Sequence, residues 1–302
     1  MANRPPKRGD KPKRSSGSGP KGRPSRSPGR GPAPRAASQR SGPQRSGPPR
    51  ESRDRERGLG GTQVEGRQAV RELLLAGTRK VREVLVASEL DHSDVIDDIV
   101  ELANDLRVPV REVSRGRLDA ASRTEAAQGV LARAGELEDH DLDDLCRAGE
   151  TAPFLVALDG VTDPGNLGAL LRSAECAGVT GVVLPKHRAV HVTPTVTKAA
   201  AGAVEHVPMA LVGGLPSAIS RMSKLGVLIV GLDAGGTRSI HELQVSDGPV
   251  CLVLGAEGRG LSRLVRERCD VVASIPLRGR LSSLNVSVSG ALGCYEIVRQ
   301  RS

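Results

Sequence analysis

The chain has 302 residues, with 44 Lys and Arg against 35 Asp and Glu, a formal net charge of +9. It contains one Phe, one Tyr and no Trp, which argues against folds that bind RNA or single strands by stacking bases on aromatic side chains. We expect a soluble, cytoplasmic protein, because the sequence shows neither a secretory signal nor an apolar run long enough to span a bilayer. The five cysteines form no C-x-x-C pair, which is typical of a reducing compartment.

Residues 1–60 are predicted to be a disordered basic tail. They hold 17 Lys and Arg against 4 Asp and Glu, together with 11 of the 20 prolines. Such a segment buries too little apolar surface to offset the entropy of ordering. Its charge favours contact with nucleic-acid phosphates, and the alternative is a solubilising extension without a partner.

Residues 61–136 are predicted to form a small α/β domain. An apolar helical stripe is followed by an alternation of strand and helix patterns. The stripe consists of Ala69, Val70, Leu73 and Leu74, and the later elements are a strand at 81–87, a helix at 95–106 and a strand at 108–113. The acidic, turn-rich residues 137–151 are predicted to be a linker.

Residues 152–302 alternate between apolar runs of strand length and helical patterns, which predicts a doubly wound α/β sheet. The strands are expected at 154–158, 181–184, 207–211, 226–232, 250–254 and 271–275. The helices are expected at 167–177, 195–204, 215–224, 260–268 and 285–300. Cys176 and Cys251 fall inside these elements and are predicted to be small core residues.

The first strand of this region leads into a polar corner, D-P-G-N-L-G-A-L-L-R, at residues 163–172. The apolar spacing predicts a helix from Leu167, with Gly168 leaving open space beside Arg172 so that the arginine can reach a ligand. The simpler alternative is an ordinary amphipathic helix, with Asn166 as its N-cap and Arg172 in solvent.

Two more polar loops follow strands, at 255–261 (G-A-E-G-R-G-L) and at 277–287 (L-R-G-R-L-S-S-L-N-V-S). Ligands of open α/β sheets bind at the carboxyl ends of the strands, so the three loops are expected to form one crevice. The loops fit neither a Walker nor a dinucleotide motif nor a nucleophile elbow. His187 and His191 are four residues apart without a helix-borne carboxylate, so we expect no metal.

The three ordered motifs resemble the SpoU/TrmH branch of the SPOUT methyltransferases. The motifs are D-P-G-N-L-G with R-S-A at 163–174, L-G-A-E-G at 254–258, and I-P at 275–276 with S-L-N-V-S-V at 283–288. G-R-Q-A-V at 66–70 and Gln128-Gly129 resemble the RNA-binding domain of RlmB-type enzymes. The resemblance implies a trefoil knot in the parallel sheet, a homodimer, and methyl transfer from S-adenosyl-L-methionine to a ribose 2'-hydroxyl of RNA, with a 23S rRNA guanosine as target.

The resemblance also implies the site residues. Catalytic roles fall on Asn166, Arg172, Glu257, Ser283 and Asn285, and cofactor-binding roles on Gly255, Ile275 and Leu284. Arginine stays protonated at neutral pH, so we expect Arg172 to stabilise charge rather than to accept a proton. The alternatives are a tRNA or rRNA-adenosine 2'-O-methyltransferase and a non-catalytic RNA-binding factor for ribosome assembly.

Overall fold

The computed structural model describes residues 58–90, 93–187, 191–245 and 247–301. Within these ranges the chain forms a four-stranded sheet followed by a seven-stranded sheet. Nearly all of the predicted basic tail lies outside the described residues. Among the described helices, none has the length and apolarity needed to cross a membrane.

The first sheet is mixed, with the strand order β1-β4-β2-β3. Strand β4 is antiparallel to both of its neighbours, whereas β2 and β3 are parallel. The strands are β1 Gln63–Glu65, β2 Val81–Ala87, β3 Val110–Val113 and β4 Val130–Ala134, and the helices are α1 Arg67–Ala76, α2 Asp94–Asp105 and α3 Arg115–Ala121.

Helix α1 forms where the apolar stripe predicted it. Ala69, Val70, Leu73 and Leu74 are its buried residues, and they pack into one core with the sheet. The helix ends at Gly77, whose φ of 59° is left-handed and whose N–H bonds to the Leu73 carbonyl. Strand β2 matches its predicted bounds, while β1, β4 and α3 were not predicted.

The seven-stranded sheet is parallel throughout, in the order β7-β6-β5-β10-β8-β11-β9. Its central strand β10 pairs with β5 from Val250 opposite Phe154 to Gly255 opposite Asp159. The strands are β5 Phe154–Asp159, β6 Gly181–Pro185, β7 Met209–Val212, β8 Leu228–Leu232, β9 Arg238–Ser239, β10 Val250–Gly255 and β11 Val271–Ser274. The predicted α/β sheet is therefore confirmed.

Helices cover both faces of this sheet. One core contains residues of α5, α6 and α9, and a second contains residues of α4, α7 and α8. The helices are α4 Leu142–Leu145, α5 Pro164–Cys176, α6 Pro194–Ala199, α7 Leu215–Lys224, α8 Arg263–Arg266 and α9 Val286–Arg301. Helix α4 lies within the predicted linker, and its Leu142 is buried in the second core.

Helix α5 differs from its prediction in two respects. It begins at Pro164 rather than at Leu167, and its N-cap is Asp163, whose Oδ1 accepts a hydrogen bond from the Asn166 N–H at 2.7 Å. Gly168 does not leave open space, because a Cβ there would lie 2.5 Å from the Cβ of Ala199 on α6. The glycine therefore allows α5 and α6 to pack closely.

The two cysteines predicted to lie in the core have different environments. Cys251 is fully buried on β10, and burial raises the pKa of its thiol well above the usual value. Cys176 is exposed, so the prediction was wrong for this residue. It is the last residue of α5 and lies outside the helix's buried apolar stripe.

Helix α9 carries a carboxylate that is almost completely buried. The Glu296 side chain is 7% exposed and accepts hydrogen bonds from Arg299 and Gln300. The bond from Arg299, supported by those from Gln300 and His241, lowers the pKa of this carboxyl from 4.5 to about 2, although burial alone would raise it. The C-terminal turns of α9 are thus tied together by an ionised group.

The two sheets are joined by a buried ion pair. The Arg79 guanidinium, between α1 and β2, donates from Nε and Nη2 to the two carboxylate oxygens of Glu205 at 2.9 and 2.6 Å. Its Nη1 donates to the carbonyls of Gly61 and Gly135 at 2.6 and 2.5 Å. The side chains of Arg79 and Glu205 are 7% and 0% exposed. One arginine thus links the start of β1 and the end of β4 to Glu205, which precedes β7 of the larger sheet.

The first described residues pack against the larger sheet. Leu59 is fully buried in the core beneath α5 and α9. Gly60 forms a β-bridge with Val192, and backbone bonds join Gly61 N to Val192 O and Val192 N to Leu59 O. The described segment before β1 therefore contributes to the core of the larger sheet.

Candidate active site

Three predicted site residues from three separate segments of the chain are in direct contact. The Asn285 Nδ2 donates to Asn166 Oδ1 at 2.8 Å and to Glu257 Oε1 at 2.8 Å. The Asn166 Nδ2 also donates to Glu257 Oε1, at 3.1 Å. The three side chains therefore form a closed hydrogen-bonded cluster at the carboxyl edge of the parallel sheet, where sheets of this type bind ligands.

Glu257 is positioned by a tight loop after the central strand β10. Ala256 and Gly260 exchange backbone hydrogen bonds at 3.2 and 2.9 Å, which closes the loop around Glu257. A Cβ at Gly255 would lie 2.2 Å from the carbonyl carbon of Gly260. Gly260 has a φ of +64°, which other residues rarely adopt. The loop therefore requires glycine at both positions.

Two aspartates at the ends of the strands that flank β10 anchor the same loop, and neither was predicted to belong to the site. Asp233, after β8, accepts the Leu261 N–H at 2.9 Å, and Asp159, at the end of β5, accepts the Ser262 N–H at 2.6 Å. A carboxylate directly after an apolar strand run was the available signal for both.

Asp233 is held in its ionised form. Partial burial raises the pKa of this carboxyl, but the backbone N–H groups of Leu261 and Gly235 and the Arg266 guanidinium together hold it below its usual value. Arg266 Nη1 lies 2.7 Å from Asp233 Oδ1. The ionised carboxylate therefore remains a strong acceptor for the loop across the neutral range.

Asn285 connects the cluster to the start of α9. Its Oδ1 accepts hydrogen bonds from the Ser287 N–H at 2.9 Å, the Ser287 hydroxyl at 2.6 Å and the Val288 N–H at 3.4 Å. The side chain therefore caps the helix with its oxygen and serves the cluster with its nitrogen. This double use fixes the orientation of the amide.

Beside the cluster lies a cavity of about 310 Å³ at the ends of β8, β10 and β11, hereafter the first cavity. The three predicted cofactor residues, Gly255, Ile275 and Leu284, all line it, as do Glu257 and Ser283. Its walls combine leucine and isoleucine side chains with glycine backbone, which suits a flat, largely apolar ring with polar edges.

Arg172 is not brought into this arrangement. It lies six residues after Asn166 on α5, a rise of about 9 Å, and its side chain is exposed. It lines neither the first cavity nor a neighbouring cavity, which Asn166 does line. Within the described ranges, no hydrogen bond or ion pair holds its guanidinium.

No group of three or more His, Cys, Asp or Glu residues suited to a metal ion occurs among the residues that the structure describes. His191 instead lies with Nδ1 3.2 Å from the Gly58 carbonyl oxygen. The expected absence of a metal stays a prediction.

Two family profiles match this chain. The sequence profile of the SpoU rRNA methylase family matches residues 153–295, and that of the RNA 2'-O ribose methyltransferase substrate-binding domain matches residues 63–140. The 23S rRNA (guanosine-2'-O-)-methyltransferase RlmB of Photobacterium profundum is 39% identical over 239 residues, which cover 78% of this chain and 96% of the relative. RlmB of Coxiella burnetii is 43% identical over 241 residues, which cover 79% and 95%.

Solved structures lead to the same family. The SpoU methyltransferase AviRb from Streptomyces viridochromogenes, crystallised in complex with the cofactor AdoMet, superposes with a TM-score of 0.67 at 26% identity. The match covers 79% of this chain and 89% of that one. Since relatives well above 30% identity align over nearly their whole length, this chain belongs to the SpoU rRNA methylase family.

Proposed function

We propose that this protein methylates a ribose 2'-hydroxyl of RNA with S-adenosyl-L-methionine as donor, and that its target is a guanosine of 23S rRNA. The observation that carries the proposal is the cluster of Asn166, Glu257 and Asn285 beside a cavity lined by the residues expected to hold the donor. The rRNA guanosine target is supported by the names of the RlmB relatives.

The residues around the first cavity fit the donor. Backbone at Gly255 and the side chains of Ile275 and Leu284 would hold its adenosine part. When bound, the donor supplies a methyl group that its sulfonium already activates. The protein therefore needs to align the acceptor oxygen and to stabilise the charge that develops on it.

Glu257 is suited to orient the acceptor hydroxyl. Both amides of the cluster donate to its Oε1, and among the described residues no group donates to its Oε2. The free oxygen can accept the 2'-hydroxyl hydrogen while the amides hold the carboxylate still. In the displacement an O–CH₃ bond forms, the S–CH₃ bond breaks, and the hydroxyl proton leaves to the target phosphate or to water.

Arg172 is assigned an electrostatic role at the target phosphate and the incipient alkoxide. Its guanidinium lies outside the cluster in a single chain, so this role depends on the RNA, or on a second copy of the chain, reaching it. The planar fork of arginine binds a phosphate through two hydrogen bonds, which lysine cannot reproduce. Near-normal single-turnover methylation by Arg172→Lys would show that the fork is not needed.

A homodimer is part of the proposal and is supported by an apolar stripe on α9. Val288, Leu292 and Tyr295 follow each other at helical spacing and are 47%, 47% and 51% exposed. Helix α5, which carries Arg172, packs against α9. A second copy on this stripe would therefore lie beside the helix of Arg172. Sedimentation of Leu292→Asp should show a shift towards monomer.

The remaining assignments also belong to the proposal. Residues 61–136 would bind RNA, and residues 152–302 would carry out methyl transfer. Residues 137–151 would link these two domains, and the protein would act in the cytoplasm. The trefoil knot stays a prediction. Residues 1–60 are assigned a loose contact with RNA phosphates.

Mapping of ribose methylation in rRNA and tRNA, with and without this protein, tests the target. We expect one 23S rRNA guanosine to be unmethylated when the protein is absent. A methyl group missing only from tRNA or from an rRNA adenosine would change the proposed target but keep the proposed reaction. Calorimetry with S-adenosylmethionine tests the enzyme itself, because a non-catalytic assembly factor should bind none.

Variants test the cluster. Glu257→Gln should reduce the single-turnover rate about a hundredfold, and Asn166→Ala should have a similar effect. Glu175→Gln is the matched control, since Glu175 is an exposed carboxylate on the same helix as Asn166 and lines neither cavity. Equal rates for Glu257→Gln and Glu175→Gln would remove the cluster from the mechanism.

A further inference from the structure

A second cavity lies on the other side of the Glu257 loop. It measures about 920 Å³ and is formed at the carboxyl ends of β5 and β6 and by the residues before α7. The first cavity lies at the ends of β8, β10 and β11. Because β10 is the middle strand of the sheet, the loop that follows it separates two cavities at the same sheet edge.

The two cavities share one wall. Ala256, Glu257, Gly260 and Val286 line both of them. Asn166 lines the second cavity only, and Ser283 lines the first only. The hydrogen-bonded cluster of Asn166, Glu257 and Asn285 therefore lies at the boundary, where a group passed from one cavity to the other would have to cross.

We propose that the second cavity receives the target nucleoside, with its ribose against Glu257 and Asn166 while the donor occupies the first cavity. The inference rests on the proposed function and adds to it the location of the acceptor. A volume of about 920 Å³ falls within the range of small-molecule sites. It suits one nucleoside but not a duplex, so the target must leave its base stack to enter.

The polar groups of the second cavity suit the sugar and base better than the phosphate. Asp159 and Asp163 line it, and each has one oxygen fixed by a backbone N–H, from Ser262 and Asn166 respectively. Their other oxygens are acceptors for the O–H and N–H groups of a nucleoside, and their charge repels phosphate. Arg259 also lines the cavity and is exposed, which suits it to a phosphate at the rim.

Two glycines give direct access to this cavity for a test. Gly213 and Gly214 line it, and a Cβ at either position would meet no atom within 4 Å. Neither has a positive φ, so a side chain is compatible with the backbone. Gly213→Phe should therefore fill part of the second cavity and leave the fold intact. Thr162→Trp, at an exposed lining position on the β5 side, is a second and independent obstruction.

The experiment measures S-adenosylmethionine affinity by calorimetry and methylation of unmodified 23S rRNA transcript by the full chain. We expect Gly213→Phe and Thr162→Trp to lower kcat/KM for RNA about a hundredfold with unchanged donor affinity. Ala234→Trp, at an exposed position that lines only the first cavity, should instead weaken donor binding. Gly149→Phe is the matched control, because a Cβ there also meets nothing within 4 Å and Gly149 lines neither cavity.

The outcomes separate this inference from the proposed function. Wild-type RNA kinetics in folded Gly213→Phe and Thr162→Trp would overturn the acceptor assignment while leaving the methyltransferase intact. Loss of donor binding in these two variants, with Ala234→Trp unaffected, would reverse the roles of the cavities. A wild-type protein that binds the donor but methylates no RNA would instead refute the proposed function, and the acceptor assignment with it.

Discussion

Replacing Arg79 by Met should destabilise the protein more than any surface substitution in the first sheet. The change removes four hydrogen bonds, two to Glu205 and one each to the carbonyls of Gly61 and Gly135. It also leaves the Glu205 carboxylate, whose side chain is 0% exposed, without its counter-charge. Met keeps much of the apolar stem and so limits the cavity.

The magnitude follows from the burial of the pair. Removing one partner of a buried ion pair typically costs about 3–5 kcal/mol, because the remaining charge is neither solvated nor paired. The ion pair of Arg133 with Glu83, at 3.2 Å in the same sheet, has side-chain exposures of 51% and 18%. Such an exposed pair contributes about 0–1 kcal/mol. Arg133→Met is therefore the matched control.

Urea unfolding followed by far-UV circular dichroism is the suitable assay, since the chain has no Trp and gives little intrinsic fluorescence. We expect Arg79→Met to lose about 3–5 kcal/mol, or to unfold in two steps as the sheets separate. The double variant Arg79→Met with Glu205→Met should recover part of the loss, because no unpaired charge remains. A loss for Arg79→Met no larger than that for Arg133→Met would refute the reasoning.

Three further predictions concern packing, the cluster and pH. Gly168→Ala should cost about 1–3 kcal/mol of unfolding free energy, because its methyl would lie 2.5 Å from a side-chain carbon of α6. The control Gly116→Ala, whose methyl would meet nothing within 4 Å, should not destabilise the protein. Equal losses for the two variants would contradict close packing at Gly168. Asn285→Asp keeps the oxygen that caps α9 but places a second carboxylate beside Glu257, so methylation should fall about a hundredfold with less than about 1 kcal/mol lost; unchanged single-turnover rates would argue against the cluster. The folded pKa of Glu296 is about 2 against 4.5 unfolded, so its contribution to the free energy of unfolding is full above pH 4.5 and is lost as the pH falls towards 2. The unfolding free energies of wild type and Glu296→Gln, measured by urea titration, should therefore converge over this window. Parallel pH dependences would show that the carboxylate contributes nothing.

The larger sheet was predictable because its strands are buried on both faces. Such strands are continuous apolar runs, and those predicted at 154–158 and 250–254 end only one residue short of the observed strands. Strand β9, Arg238–Ser239, has no apolar run and exists through its pairing with β11. Its formation depends on a neighbour from elsewhere in the chain, so no local pattern could indicate it.

The sheet topology made only the meeting of the three site segments predictable. Parallel strands end at one sheet edge, so the loops carrying Asn166, Glu257 and Asn285 could be expected to meet. Helical spacing placed Gly168 and Arg172 on one face, but it carried no information that α6 covers the glycine. Arg79 and Glu205 are 126 positions apart and belong to no shared motif, so their contact could not be inferred from either neighbourhood.

The burial of Leu59 determines how this protein can be divided into fragments. Leu59 lies in the core of the larger sheet, residues 63–134 then form the smaller sheet, and the chain returns to the larger sheet at Phe154. A fragment starting near residue 152 would therefore lack a leucine from its own interior, a defect of about 2.7–5 kcal/mol by analogy with leucine truncations. The unit built on the larger sheet is thus discontinuous in sequence. A truncation that starts at Gly58 keeps this core complete, whereas one that starts at Gln63 does not.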